Sequence, residues 1–307
     1  MTQPRPNSSA HAEAPAIPND IDLVVKNALR EDLGGGDLTA SLVPADAVGK
    51  ARIISREQAV VAGRPWVDKV FECLGGEVSV NWQVSEGEKV KDNQVLCSLT
   101  GPARALLSGE RTALNFLQTL SGTATLARRY AERVKGTKAR VLDTRKTLPG
   151  LRTAQKYAVA VGGCANHRVG LYDGILIKEN HIMAAGSISR AVAAARQLQA
   201  GVPIQVECET MDEVADALEA GADMLLLDNF SLPLLQKAVN LNRNNEINMR
   251  RARMGLERAL LEGSGNVSLN TVRAIAETGV DRISVGGITK HVTAIDLSMR
   301  FDVELPA

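Results

Sequence analysis

A parallel α/β architecture, with closure into a barrel favoured over an open doubly wound sheet, is the fold class this sequence predicts. Three observations predict it. Six short runs rich in β-branched and aliphatic residues, at 139–144, 174–179, 203–209, 222–228, 258–263 and 281–286, alternate with helical patterns at 151–161, 188–198, 211–220, 232–239 and 269–277. Every run ends in charged, polar or glycine residues, as strands do where they carry chemistry at their C-terminal ends. No run is followed by GxGxxG, which weakens the open-sheet alternative.

Composition supports this reading. A chain of 307 residues makes one large or two ordinary domains with a full core. The apolar share is 45% but the aromatic share only 3%, so the core must be built from Leu, Val, Ile and Ala. A formal charge of +1 gives no basic surplus, so nucleic-acid and anionic-membrane binding are not expected. No run of 18 apolar residues occurs, and no membrane span is expected. Cys73, Cys97, Cys164 and Cys208 show no metal-type spacing and suggest buried thiols in a reducing cytoplasm.

From the start of the chain, residues 1–20 carry four prolines and almost no large apolar side chains, which predicts a disordered tail; His11 within it has no expected role. Ile21, Val24, Val25, Ala28 and Leu29 have the spacing of an amphipathic helix, ended by Gly34-Gly35-Gly36. That glycine triplet lacks the flanking strand a phosphate loop needs. Residues 50–100 mix strand patterns (51–55, 78–84) with a helical one (66–74) and read as a small structural α+β module. Within it, 86–96 suggests two short strands around a turn, similar to a lipoyl-carrier hairpin but without its lysine-bearing turn. Ser108 is a plausible N-cap for a long helix through Arg129. Arg111 would then lie in the first turn and oppose the helix dipole by about a few tenths of a kcal/mol. It is either a tolerated surface arginine or one that reaches an anion.

The chemistry concentrates in residues 141–181. Between Asp143 and His181 stand Arg145, Lys146, Arg152, Lys156, Arg168 and Lys178, with His167 and His181, against only Asp143, Asp173 and Glu179. Two cations about 6 Å apart repel by roughly 2–3 kcal/mol at an effective dielectric near 20. A bound polyanion is the simplest explanation for such a cluster. The later runs end differently: Glu207/Glu209 and Asp228/Asn229 bring carboxylates, whereas Glu262–Asn266 and Val285–Lys290 are glycine-rich. Those last two loops fit a phosphate cradle built from backbone N–H groups and a helix N-terminus. Glu207 and Asp228 either meet Mg²⁺ or sugar hydroxyls, or merely cap the helices that follow. His167 beside Arg168 is expected to donate to an anion; His181 and His291 read as structural. There is no GxSxG, HExxH, Walker loop or Cys/His dyad, so positioning and electrostatics are expected to do the chemistry, without a protein nucleophile.

The runs Asp143-Thr144-Arg145-Lys146-Thr147-Leu148-Pro149-Gly150-Leu151-Arg152, Asn166-His167-Arg168, Leu176-Ile177-Lys178-Glu179-Asn180-His181 and Leu227-Asp228-Asn229 closely resemble the quinolinate phosphoribosyltransferase family. Glu110-Arg111-Thr112 and the Ser264-Gly265 and Val285-Gly286 loops fit the same pattern, so the resemblance spans roughly 21–305. It implies the conversion of quinolinate and phosphoribosyl pyrophosphate, with Mg²⁺, into nicotinate mononucleotide, pyrophosphate and CO₂, a step of NAD synthesis. The implied fold is an N-terminal α/β sandwich, here 21–113 joined by 291–307, and an open seven-stranded α/β barrel, here 114–290. The implied assembly is a homodimer in which Arg111 of the neighbouring subunit completes each site. By the same resemblance Arg145, His167, Arg168 and Lys178 form the quinolinate pocket, with Lys146 nearby, and Lys146, Lys178, Glu207 and Asp228 serve catalysis. Glu207 and Asp228 meet metal and ribose. Ser264, Gly265, Asn266, Gly286, Gly287 and Lys290 hold phosphate.

Some positions depart from the family pattern. Cys164 stands where glycine is usual, which raises a question of backbone geometry. Asn266 and Gly287-Ile288 vary the phosphate loops without removing donors. Residues 240–257 exceed the usual link and predict a lengthened helix or an exposed basic insert. Two alternatives are a paralogue of the same fold with another substrate and a non-catalytic phosphoribosyl-binding sensor. The complete cation set disfavours the first, and the presence of both Glu207 and Asp228 disfavours the second.

Overall fold

A computed structural model describes residues 15–304, with side chains through Phe301. Most of the expected tail, including His11, lies outside the described residues. The chain divides into two compact units, one ending at Ser121 and resuming at Ile295, the other spanning Gly122–Ala294. The boundaries lie eight and four residues beyond the expected 113/114 and 290/291.

In the first unit, α1 (Ile21–Leu33) is followed by a 3₁₀ turn (Ala40–Leu42), β1 (Val48–Ser55), β2 (Ala59–Val60), α2 (Arg64–Cys73), β3 (Ser79–Trp82), β4 (Lys89–Val90) and β5 (Val95–Pro102). With β12 (Leu297–Glu304) these build an antiparallel sheet of order β12-β1-β5-β3. The alternating burial of β1 puts Ala51 and Ile53 inside, and Trp66, Phe71 and Leu99 are buried in the same unit. One expectation changes here. The strands around the 86–96 turn do not pair with each other: β4 pairs with β2, and β5 joins the larger sheet.

Helix α3 (Ala103–Arg133) corrects another. It begins directly after β5 because Ala103-Arg104-Ala105-Leu106-Leu107 are strong helix formers. Ser108 is therefore inside the helix, where its hydroxyl donates to Asp37 Oδ2 (2.7 Å) in place of capping. The Ala40 N–H and then this hydroxyl hold the Asp37 carboxyl below its ordinary value. Arg111 is exposed in the interior of α3, so the first-turn dipole penalty does not apply.

The second unit carries the expected repeat: β6 (Arg140–Leu142), α4 (Arg152–Val161), β7 (Ile175–Ile177), α5 (Glu179–Ala185), α6 (Ile188–Gln197), β8 (Ile204–Cys208), α7 (Met211–Glu219), β9 (Met224–Asp228), α8 (Leu232–Asn242), α9 (Asn245–Arg253), β10 (Leu260–Ser264), α10 (Val272–Glu277), β11 (Arg282–Ser284) and α11 (Gly287–Lys290). All six predicted strands form one parallel sheet of order β6-β11-β10-β9-β8-β7. At the β6 edge Ala165 adds a single parallel bridge to Leu142. The core is aliphatic, with Val141, Val206, Leu225, Leu227, Leu261 and Ile283 packed against Val192, Val214, Leu218, Ala238 and Val272 of the covering helices. Among the described residues, no helix is long and apolar enough to cross a membrane.

Residues 240–257 carry α8 on to Asn242 and then add a separate short helix, α9, which is largely exposed apart from Arg251 and ends in three arginines, as an exposed basic insert would. The buried Asn242 donates to Ala259 O (2.8 Å), and Asn244 Oδ1 accepts from Glu246 and Ile247 N–H to start α9. Arg251, 1% exposed, then donates to Leu218 O (3.0 Å), Ala222 O (2.8 Å) and Glu257 O (3.1 Å), which covers the carbonyls at the end of α7. Burial pushes its guanidinium below the ordinary value.

Candidate active site

Because the sheet is parallel, the six C-terminal strand ends share one rim. Sheet order rearranges the chemistry read along the chain. The two glycine-bearing ends, on β11 and β10, stand between the cation loop after β6 and the acids Asp228 and Glu207 on β9 and β8. Lys178 follows on the β7 edge.

A cavity of about 580 Å³ opens at this rim. Thr144, Lys146, Asp228, Ser264, Gly265, Asn266, Gly286, Gly287 and Lys290 line it, so all six residues expected to bind phosphate lie in one place. His291, read as structural from the sequence, lines it too. Helix α11 spans only four residues, so its dipole is weak and the cavity's donors are loop backbone, Lys146 and Lys290. Two non-glycine residues of the lining, Asn229 (φ 55°) and Asn266 (φ 48°), hold left-handed backbone. Gly265 is at φ 98°, and a Cβ there would meet Asn229 Oδ1 at 2.1 Å. Only glycine lets the β9 and β10 loops lock together, which Asn229 N–H completes by donating to Ser264 O (3.0 Å).

The six cations of the 141–181 stretch separate into two groups. Lys156 is buried and donates to Asp143 Oδ1 (2.5 Å) and His167 O (2.9 Å), while His167 N–H donates to the same carboxylate oxygen (2.8 Å). Burial drives the Asp143 carboxyl up and the Lys156 ammonium down, and their attraction opposes both. Arg152 donates to Thr147 Oγ1 (3.2 Å), Val169 O (3.1 Å) and Arg145 O (3.4 Å). These two hold loops together. Asp173 closes the loop after Arg168 by accepting from Val169 and Gly170 N–H, which outweighs its partial burial and lowers its carboxyl.

Arg145, Lys146, Arg168 and Lys178 remain. Arg145 Nε is buried and has no hydrogen-bond acceptor among the described residues. Burial, and next the Arg145 guanidinium beside it, depress the Arg168 guanidinium. One Arg168 nitrogen donates to Gly174 O (2.9 Å). Lys178 is paired with Glu207 (2.5 Å), so Glu207 is engaged by a cation and does not line the cavity. Asp228 does line it, with one oxygen accepting from Asn229 Nδ2 (2.8 Å).

His167 is engaged within the protein. Its Nδ1 accepts from Arg168 N–H (2.8 Å), which puts the ring proton on Nε2, and Nε2 faces Gln205 Oε1 (3.1 Å) and Glu262 Oε1 (3.4 Å) within the protein. The fully buried Glu262 was missed as more than a strand end, since nothing in its sequence neighbours predicts that it turns inward. Burial alone would raise its carboxyl, but His167, Arg282 and Ser284 together hold it below the ordinary value. Cys164 brings no backbone strain: it is absent from the left-handed residues, and its thiol donates to Ala127 O (3.1 Å).

The family model described as quinolinate phosphoribosyl transferase, C-terminal domain, matches residues 123–300, and the corresponding N-terminal domain model matches 37–121. A "probable nicotinate-nucleotide pyrophosphorylase (carboxylating)" of Synechocystis is 38% identical over 281 residues, covering 91% of this chain and 92% of that protein. Its Bacillus subtilis namesake is also 38% identical, over 270 residues and 88% and 89% of the two chains. The solved nicotinate-nucleotide pyrophosphorylase of Francisella tularensis superposes with a TM-score of 0.85 at 43% identity, covering 94% of this chain and 98% of that one. The chain belongs to the quinolinate phosphoribosyl transferase family.

Proposed function

We propose that this chain transfers phosphoribosyl from phosphoribosyl pyrophosphate to quinolinate with loss of CO₂, giving nicotinate mononucleotide and pyrophosphate for NAD synthesis. One observation supports this most. Two neighbouring guanidiniums, Arg145 and Arg168, oppose each other electrostatically, and the buried Arg145 Nε has no acceptor among the described residues. Such a pair is stabilised by a dianion. Lys146, next in the chain, turns into a cavity suited to phosphate.

In this reading Arg145 and Arg168 hold the two pyridine carboxylates, with Lys178 at the far edge of the rim. Lys146, Lys290 and the loops around Ser264, Gly265, Asn266, Gly286 and Gly287 seat the sugar phosphate, which leaves ribose C1 facing the ring nitrogen. The nitrogen forms a bond to C1 as the bond to pyrophosphate breaks. The cationic ring then takes up the electron pair freed when the adjacent carboxylate leaves as CO₂, and the ring carbon takes a proton from water. No side chain becomes covalently attached. The protein supplies placement and fixed positive charge.

No group of three or more metal-ligating side chains occurs among the described residues, so a closed protein cage for a metal is absent there. Two carboxylates near a phosphate cavity instead suit Mg²⁺ that takes most of its oxygens from substrate, with Asp228 and Glu207 as its protein donors. When bound, the ion would offset the charge gathering on pyrophosphate. The bridge at Ala165 supplies a seventh position beside β6, consistent with an open seven-stranded barrel. The working assembly is a cytoplasmic homodimer in which Arg111 of the partner subunit completes each site.

Incubation with quinolinate, phosphoribosyl pyrophosphate and Mg²⁺ should release CO₂ and nicotinate mononucleotide in equal amounts. Product from nicotinate in place of quinolinate, without CO₂, would instead favour a non-carboxylating relative.

A further inference from the structure

Helix α4 does more than cover the sheet. Arg152, Gln155 and Lys156 fall at i, i+3 and i+4, one face of the helix, and each joins two separate segments of the rim. Gln155 is fully buried, as is Thr289 in α11. The Gln155 Oε1 accepts from Leu148 N–H (2.8 Å), and its Nε2 donates to Thr289 O (3.0 Å). Thr289 Oγ1 in turn donates to Lys146 O (2.8 Å). This circuit closes on itself: the loop after β6 is fastened at residues 146 and 148, and the loop after β11 at residue 289. The Lys146 side chain lies over Gly286, where an added Cβ would meet its Cδ at 3.1 Å. Buried side chains with every polar group satisfied make a stiff link, because moving either loop would leave a buried donor or acceptor unpaired.

We propose that Gln155 and Thr289 are positioning residues that fasten the cation loop to the phosphate loop, so that a sugar phosphate in the cavity raises affinity for the dicarboxylate. Neither residue lines the cavity. They act through the backbone of Lys146 and Leu148 and, one residue back, through Arg145. The inference rests on the assignment of quinolinate to Arg145 and Arg168.

The test measures quinolinate affinity by titration calorimetry, with and without saturating ribose 5-phosphate, which carries the phosphate but no leaving group. For the unaltered protein the sugar phosphate should tighten quinolinate binding at least about fivefold, the lower end of ordinary coupling between sites. Thr289→Val removes only the hydroxyl bond and should reduce that gain to less than about twofold while each ligand still binds alone. Thr289→Ser keeps the hydroxyl and should restore it. Gln155→Met, which removes the link at the other end, should behave as Thr289→Val does and serves if that variant fails to fold. Binding of both ligands to the unaltered protein with no mutual effect, or a full gain in Thr289→Val or Gln155→Met, would overturn the inference alone. Failure of quinolinate to bind at all would overturn the proposed function with it.

Discussion

In the proposed site, Arg145 and Arg168 are the residues that matter most. A guanidinium whose buried Nε finds no acceptor among the described residues, and which depresses the guanidinium beside it, is costly unless an anion arrives. Arg145→Ala should therefore weaken quinolinate binding roughly 10- to 100-fold, the range of a lost charge-assisted hydrogen bond. Its melting temperature should change little or rise, because a repulsion is relieved. An unchanged affinity would remove Arg145 from the pocket. The cysteines make a contrasting case at the same scale. Burial pushes the Cys97 and Cys164 thiols up to about 12 and that of Cys208 higher still, whereas Cys73 is partly exposed and raised less. Mass spectrometry after mild alkylation of the folded protein should find Cys73 modified first and the other three intact. Early labelling of Cys164 would contradict its buried bond to Ala127.

Single elements set the geometry around those residues. The β9 and β10 loops meet so closely that Gly265 has no room for a side chain. Gly265→Ala should cost about 1–3 kcal/mol locally and raise the KM for phosphoribosyl pyrophosphate more than that for quinolinate. Equal changes in both would mean the loop does not serve phosphate. Helix α4 shows what the sequence made legible and what it hid. Its helical pattern and the cation-rich run before it were plain, but six cations looked alike on paper. Only the fold separates Lys156 and Arg152, which hold Asp143 and loop carbonyls, from Arg145 and Arg168. Ser108 misled for a related reason. A serine ahead of a helical run signals a cap, and the partner that recruits it instead, Asp37, is 71 residues away in sequence.

At the scale of the whole molecule, periodicity was enough to find all six parallel strands, because each is a short aliphatic run with a polar end. Strand order was not readable, since it depends on which faces bury together. The sequence therefore could not reveal that Glu262, Gln205 and His167 meet inside the unit. A carboxyl held below its ordinary value of 4.5 contributes stability present above that value and lost as pH falls through the lower folded one. Glu262→Gln should thus destabilise the protein by about 1–3 kcal/mol at neutral pH. That difference should shrink in denaturant melts below about pH 4.5; a gap that stays constant into acid would show that Glu262 is not held as an anion. For the proposed dimer, mixing Arg111→Ala with Arg145→Ala subunits should restore activity at one site per dimer, and no recovery would place Arg111 outside a shared site.

The most direct measurement compares quinolinate with nicotinate, which lacks one carboxylate, in binding to the unaltered protein and to Arg168→Ala. Quinolinate should bind the unaltered protein at least about tenfold more tightly, one charge-assisted contact's worth, and Arg168→Ala should erase most of that preference. Equal binding of the two acids, or a preference that survives the substitution, would contradict a dicarboxylate held between Arg145 and Arg168.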